Sequence, residues 1–268
     1  MKNSEINSNV DKLVDYEYKE SFKFPAVKYE FFEKTDIEEA VISEYPLTLI
    51  LNDKVCNTFF CHPYNLDELV IGNLFYEGKI KDKNDVLKLD IDENARIAKA
   101  TINENDSSDE KIFINDVSYI TSDCITNDTI NIDLKTAYEF MSLHLNSSKL
   151  FHETGGVHCA AIYDVKNNKP IVIREDVARH NALDKAIGYC IKNDISLNDK
   201  ILFMSSRISF NMASKASKAQ IPIIIAKSAP TNLAIDLCNK LNITLAGFVR
   251  GKKMKIYTNP ERIIVNKE

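Results

Sequence analysis

The chain has 268 residues, 44 % hydrophobic and 27 % charged, which is enough apolar material for a sizeable core and excludes collagen, coiled coil and disorder. The net charge of −5 hides an asymmetry: residues 1–150 hold 16 Lys and Arg against 29 Asp and Glu, residues 151–268 hold 18 against 10. An acidic half joined to a basic one points to an anionic ligand on the C-terminal side, with two solvated faces of opposite sign as the alternative. A duplex nucleic-acid binder would be basic overall, so no nucleic acid is expected as partner.

In chain order, residues 1–26 read as a flexible N-terminal arm. Their opening, MKNSEINSNVDKLVDYEYKE, is polar and acidic, without the apolar segment of a secretory signal. No apolar run reaches the roughly 18 residues a membrane helix needs. The expected location is the cytoplasm, with no membrane association. Residues 27–132 form a strand-rich lobe beginning with VKYEFF, PLTLILND and VCNTFFCHP. NLDELVIGNLFY (65–76) switches to helical spacing, with Leu66, Leu69, Val70 and Leu74 on one face and Gly78 as its stop. Residues 86–102 and 111–120 return to strand patterns. From 133 the chain alternates helices with short apolar strands. DLKTAYEFMSLHLNS is a linking helix, VHCAAIYDV and KPIVIRED a hairpin, and ARHNALDKAIGYCIKN a helix burying Ala182, Ala186, Ile187 and Cys190. ILFM, IPIIIA, ITLAGFV and MKIYTN supply further strands, separated by the helices SFNMASKASKAQ and TNLAIDLCNKL. This predicts an α/β layer with parallel crossovers over 133–268, α+β overall once the strand-rich lobe is counted.

The six cysteines stand at 56, 61, 124, 159, 190 and 238, and no two are spaced as C-x-x-C. In a reducing compartment they are free thiols, each most simply a small buried hydrophobe. Cys124 differs. Its surroundings, TSDCITND, are polar and aperiodic, a poor place for a structural thiol and a good one for a reactive thiol.

Ligands of such a sheet bind past the carboxyl ends of its strands. Those ends carry Ser205, Ser206 and Arg207, then Lys227, Ser228 and Thr231, then Arg250, Gly251, Lys252 and Lys253. The last group is the sharpest anion signal, an exposed hairpin being the alternative. Ser209 and Thr231 can cap helices. Thr154-Gly155-Gly156 stands out in a chain of seven glycines, with His152 and His158 beside it. Asp176 reads as a helix cap near Arg174, Arg179 and His180.

Several long runs together resemble the formate dehydrogenase accessory protein family, FdhD/NarQ. They are FHETGGVHCAA (151–161), REDVARHNALDKAIG (174–188), SSRISFNMASKA (205–216), IIAKSAPTNLAIDL (224–237) and GFVRGKKMKIYTNPERI (247–263). Weaker agreement covers 44–53 and 66–80. The resemblance implies a cytidine-deaminase-like C-terminal domain and a sulfurtransferase. Such a protein takes persulfide sulfur from a cysteine desulfurase to the molybdenum bis(molybdopterin guanine dinucleotide) cofactor that formate dehydrogenase needs. It places the persulfide on Cys124, with Thr121 and Ser122 also matching. It places a GDP-like group of the cofactor on Phe248, Val249, Arg250, Gly251, Lys252 and Lys253; strand-end groups Ser206, Arg207 and Lys227 would help. It leaves room for a homodimer. This chain has Asn127 for the second cysteine of the family's loop, Ile125 and Asp128 for its glycines, and Asn211 for a usual Glu. His180-Asn181-Ala182 lacks the Glu of a zinc deaminase and no P-C-x-x-C exists, so neither zinc nor deamination is expected. A cofactor-binding chaperone that moves no sulfur is the rival reading.

Overall fold

The protein is described from a computed structural model, over residues 19–103 and 130–266. It opens with a long antiparallel ribbon, β1 (Ser21–Glu30) and β2 (Glu33–Ile42), whose two strands pair only with each other among the described residues. Residues 21–26, assigned to the arm from sequence, are therefore strand. VKYEFF does not run straight either. The chain reverses at Phe31, whose φ is 53, and Phe32.

The N-terminal lobe follows. Strands β3 (Tyr45–Leu51) and β4 (Lys54–Cys61), helix α1 (Leu66–Tyr76), and strands β5 (Val86–Asp92) and β6 (Ile97–Ile102) make a four-stranded sheet in the order β4-β3-β6-β5. Leu47 and Leu49 of β3, Ala98 and Ala100 of β6, and Leu66, Leu69, Val70 and Leu74 of α1 are buried together. That is the helical stripe anticipated from spacing. The expected strand at 111–120 lies outside the described residues.

Strand β7 (Ile132–Asp133) leads into α2 (Leu134–Asn146), where Asp133 accepts from Lys135 N at 2.9 Å and so caps the helix. A short α3 (Lys149–Thr154) comes next, then β8 (His158–Asp164), β9 (Lys169–Asp176) and α4 (Arg179–Lys192). The chain continues with β10 (Ile201–Met204), α5 (Phe210–Lys218), β11 (Ile223–Ala226), α6 (Asn232–Lys240), β12 (Thr244–Arg250), β13 (Lys253–Thr258) and β14 (Ile263–Ile264). Six of these strands form one mixed sheet in the order β13-β12-β11-β10-β8-β9. Strands β10, β11 and β12 are parallel, as predicted, and β8–β9 and β12–β13 are antiparallel hairpins.

Alternate side chains of the central strands feed two cores. Leu202, Met204, Ile224 and Leu245 pack under α4, α5 and α6. Phe203, Ile223, Ile225 and Ala246 pack under α2, where Phe140 stacks on Tyr163 and Phe203 meets both rings edge to face. The sheet is buried on both faces, which is why ILFM and IIIA are continuously apolar rather than alternating.

Several devices join the lobes. Helices α1 and α4 cross backbone against backbone: a Cβ on Gly72 would strike the Asp184 carbonyl, and one on Gly188 the Glu68 carbonyl. Beside the crossing, Arg174 of β9 grips Glu68 of α1 with two bonds of 2.5 and 2.8 Å. Deeper still lies Asp176, fully buried, 2.6 Å from the Lys185 ammonium. Its carboxylate also accepts from His62 N at 3.0 Å, Ala178 N at 3.0 Å and Asn181 Nδ2 at 3.1 Å. Asp176 is not the cap anticipated from sequence: Ala178 holds the N-cap position without a side-chain cap bond, and the partners of Asp176 reach it across the seam and along α4. Ser209 and Thr231 occupy their cap positions without a side-chain cap bond.

Candidate functional site: the carboxyl rim of the central sheet

Because β8 runs against β10 and β9 against β8, the end of β9 and the start of β8 reach the same rim as the ends of β10, β11 and β12. Backbone bonds lace this rim together. Ser205 N donates to Cys159 O at 3.0 Å, Lys227 N to Met204 O at 2.9 Å, and Phe248 N to Ser228 O at 3.1 Å. The Ser205 hydroxyl accepts from Cys159 N at 2.9 Å. Residues far apart in sequence are thereby placed on one ledge.

Beneath the ledge, on the α2 face, lies a cavity of about 250 Å³ whose wall includes Lys227, Ser205, His158, Cys159 and His144. The turn after α3 forms another side. Gly155 ends α3 with φ 65, a conformation that favours glycine. Gly156 must lack a Cβ because Ile42 of β2 packs against it. The pair singled out in the sequence thus lets the ribbon close over the cavity wall.

His144 is fully buried, with Nδ1 3.5 Å from the Cys159 sulfur and Nε2 unpartnered among the described residues. Burial lowers its pKa to about 4; a bond with Cys159 opposes this and the Lys227 charge adds to it. Burial likewise pushes the Cys159 thiol up, helped by Glu175. The pair is a neutral imidazole beside a protonated thiol, so Cys159 is not poised as a thiolate nucleophile. Lys227 lies 5.5 Å above the Phe151 ring and is the cation of the cavity wall. His144 was not singled out in the sequence. Its signal was its position on the buried stripe Ala137, Phe140, Met141, His144.

Glu175 stands behind this wall, hydrogen-bonded to the Ser148 hydroxyl that caps α3 at Phe151 N. Burial, and then the charge of Glu20, raise its carboxyl from 4.5 to about 7. Between those values the folded protein holds a proton the unfolded chain has released. The contribution of Glu175 to stability therefore falls as pH rises through that window. The buried neutral histidines His62, His144 and His180 contribute the opposite slope up to about pH 6.5, so the check is a difference: relative to the parent's, the melting temperature of Glu175→Gln should climb from pH 5 to 7. An equal slope in the variant would refute this assignment.

The remaining sequence candidates divide. Phe248 sits at a bulge with φ 54, half-exposed, with the Lys255 ammonium 4.7 Å over its ring. Non-glycine residues held in this region are strained and concentrate at functional sites. Val249 is fully buried in the α2-side core, so its side chain is a packing group. Arg250, Gly251, Lys252 and Lys253 form the exposed turn of the β12–β13 hairpin, where no carboxylate pairs with the three cations among the described residues. Ser206 is buried and donates to Arg207 O at 3.2 Å, while Arg207 is exposed. The structure brings Lys227 together with Ser205, His158 and Cys159, and leaves the Arg250–Lys253 turn outside that cavity's lining. Cys124 lies outside the described residues. Among those residues no cluster of His, Cys, Asp or Glu is placed to hold a metal ion. No helix among them is long and apolar enough to cross a membrane.

A mixed α/β sheet with a laced carboxyl rim, covered by a strand-rich lobe, defines the class of protein. The same fold occurs in a crystal structure assigned to a formate dehydrogenase accessory protein from Desulfotalea psychrophila. The two align with a TM-score of 0.78 and 24 % identity over 92 % of this chain and 100 % of that one. Residues 42–264 match the FdhD/NarQ family, and the chain belongs to it. Relatives named sulfur carrier protein FdhD come from Bacillus pumilus (39 % identical, 94 % of this chain and 97 % of the relative) and Bacillus subtilis (37 %, 88 % and 95 %). Another comes from Staphylococcus aureus (36 %, 90 % and 95 %).

Proposed function

We propose that this protein is a sulfur carrier, in which Cys124 accepts sulfur from a cysteine desulfurase and presents it to a molybdenum bis(molybdopterin guanine dinucleotide) cofactor destined for formate dehydrogenase. The observation that carries the reading is the family membership, with relatives named sulfur carriers matching across nearly their whole length. The thiols support it. Of the five described cysteines, Cys61, Cys159, Cys190 and Cys238 are buried, and burial pushes Cys61, Cys190 and Cys238 up to about 12. A buried protonated thiol is a poor sulfur acceptor. Cys56 is exposed and serves as the control.

In the acceptor step, the Cys124 thiolate attacks the outer sulfur of the donor's persulfide. A new S–S bond forms, the donor's S–S bond breaks, and the donor cysteine leaves as thiolate. The cofactor is cargo. Its phosphates suit the exposed Arg250, Lys252 and Lys253 and the rim groups Arg207 and Lys227; Ser206, being buried, would contribute through its backbone. The test is incubation with a cysteine desulfurase and cysteine, followed by mass spectrometry of the Cys124 peptide. Gain of one sulfur atom is expected. A protein that binds guanine nucleotide but gains no sulfur would instead be a cofactor-binding adaptor.

The phosphate assignment has its own check. GDP should bind less tightly as salt rises, because screening shortens the reach of exposed charges. Each charged hydrogen bond lost in Arg250→Ala with Lys252→Ala should weaken binding by roughly 1.5–3 kcal/mol, read by calorimetry. Equal affinity in the double variant would remove the hairpin turn from the site.

A further inference from the structure

On the opposite face of the sheet, between the lobes, lies a second cavity of about 480 Å³. Strand β4 and helix α1 wall it on one side, and the first turns of α4 and α5 on the other. Its charges are already matched. Lys215 Nζ lies 2.6 and 2.7 Å from the two Asp184 oxygens, and 4.1 Å over the Tyr76 ring. Among the residues that line it, no Lys or Arg is left over for a phosphate or carboxylate.

The groups left over are neutral. The side-chain amides of Asn73 and Asn211 have no partner among the described residues. Asn181 spends its NH₂ on Phe60 O at 2.9 Å and on Asp176, which leaves its carbonyl oxygen to accept. His180 is held as the neutral imidazole, its pKa lowered to about 4 by burial, then by Lys215 and Arg179. A neutral imidazole offers one donor and one acceptor, and each amide offers both. Beside these groups Phe60 is 58 % exposed, an apolar ring with nothing stacked on it among the described residues.

We propose that this inter-lobe cavity binds an uncharged fused heteroaromatic ring of purine or pterin type, stacked on Phe60 and read along its edge by Asn73, Asn181 and Asn211. Such rings pair a π-face with alternating donors and acceptors, which matches an aromatic wall set beside amides. A volume of this size falls within the range of small-molecule sites. The proposal deepens the cofactor reading, since guanine and pterin rings belong to this class. It also stands without it, because no rim residue enters the argument.

The test uses probes that carry no phosphate: guanosine, adenosine and 6-hydroxymethylpterin, titrated against the full chain by equilibrium dialysis. Saturable binding of at least one is expected, unchanged by added salt. Preference for a nucleoside or for the pterin identifies the source of the ring. Phe60→Ala should weaken that binding by roughly tenfold, as expected for loss of one base stack. Asn211→Ala should weaken it as well. Both side chains are exposed, so a melting curve equal to the parent's verifies folding. No binding of any probe, or binding that neither substitution changes, overturns the proposal. GDP affinity that depends on Arg250 and Lys252 would then still uphold the rim assignment.

Discussion

Lys185→Met should destabilise the protein by about 3–5 kcal/mol, the loss expected when one partner of a buried ion pair is removed. Lys185 and Asp176 are both inaccessible to solvent. The substitution keeps the side-chain length but leaves the Asp176 carboxylate with only three N–H donors. It also removes the bond of 2.9 Å from Lys185 to the His62 carbonyl, one of the ties between lobes. Most proteins have about 5–15 kcal/mol to lose, so a shift in melting temperature on the order of 10 °C should be plain. Asp176→Asn combined with Lys185→Met removes both charges and should recover part of the loss. A single variant as stable as the parent would mean that the pair contributes nothing to the fold.

Cys124→Ser should abolish sulfur loading and the activation of formate dehydrogenase, while melting temperature and GDP affinity stay at the parent's values. A serine hydroxyl cannot hold a persulfide. An ordinary cysteine has a pKa near 8.5, so only a few per cent is thiolate at neutral pH. The neighbouring Asp123 and Asp128 give the sequence no cation to change that. Loading should therefore quicken as pH rises toward about 8.5 unless the desulfurase supplies the activation. Cys56→Ser should load normally. Serine at Cys61, Cys159, Cys190 or Cys238 should also load but lose stability, because each would bury a hydroxyl where a thiol packs. Activation of the client by Cys124→Ser would sink the carrier reading.

The central sheet was legible because its physics is local. Strands such as ILFM and IIIA are apolar throughout, and α4 repeats its small apolar residues at helical spacing, so Ala182, Ala186, Ile187 and Cys190 are all buried as expected. The ribbon was not legible. Its reversal falls on Phe31 and Phe32, without the Gly, Asn or Pro that marks most turns, so the chemistry of the bend is silent. Helix α3 has six residues, too few to display a period. At the rim, the cations were visible from strand ends alone. The position of His144 against Cys159 was not, because it depends on α2 packing over β8. Lys185 is the clearest miss. A lysine amid small apolar residues reads as solvated, and it is buried because His62 and Asp176 arrive from elsewhere in the chain.

The crossing at Gly72 and Gly188 acts as a weld. With no side chain between the two backbones, α1 and α4 have no cushion of rotatable groups to roll on. Adding even one methyl at either position would force the lobes apart. A carrier that passes cargo between two enzymes is easily imagined as a hinged clamp, opening for one and closing for the other. This joint does not permit that picture. For the carrier role proposed above, the two lobes keep one spacing, and any motion that the transfer needs lies elsewhere than at this joint.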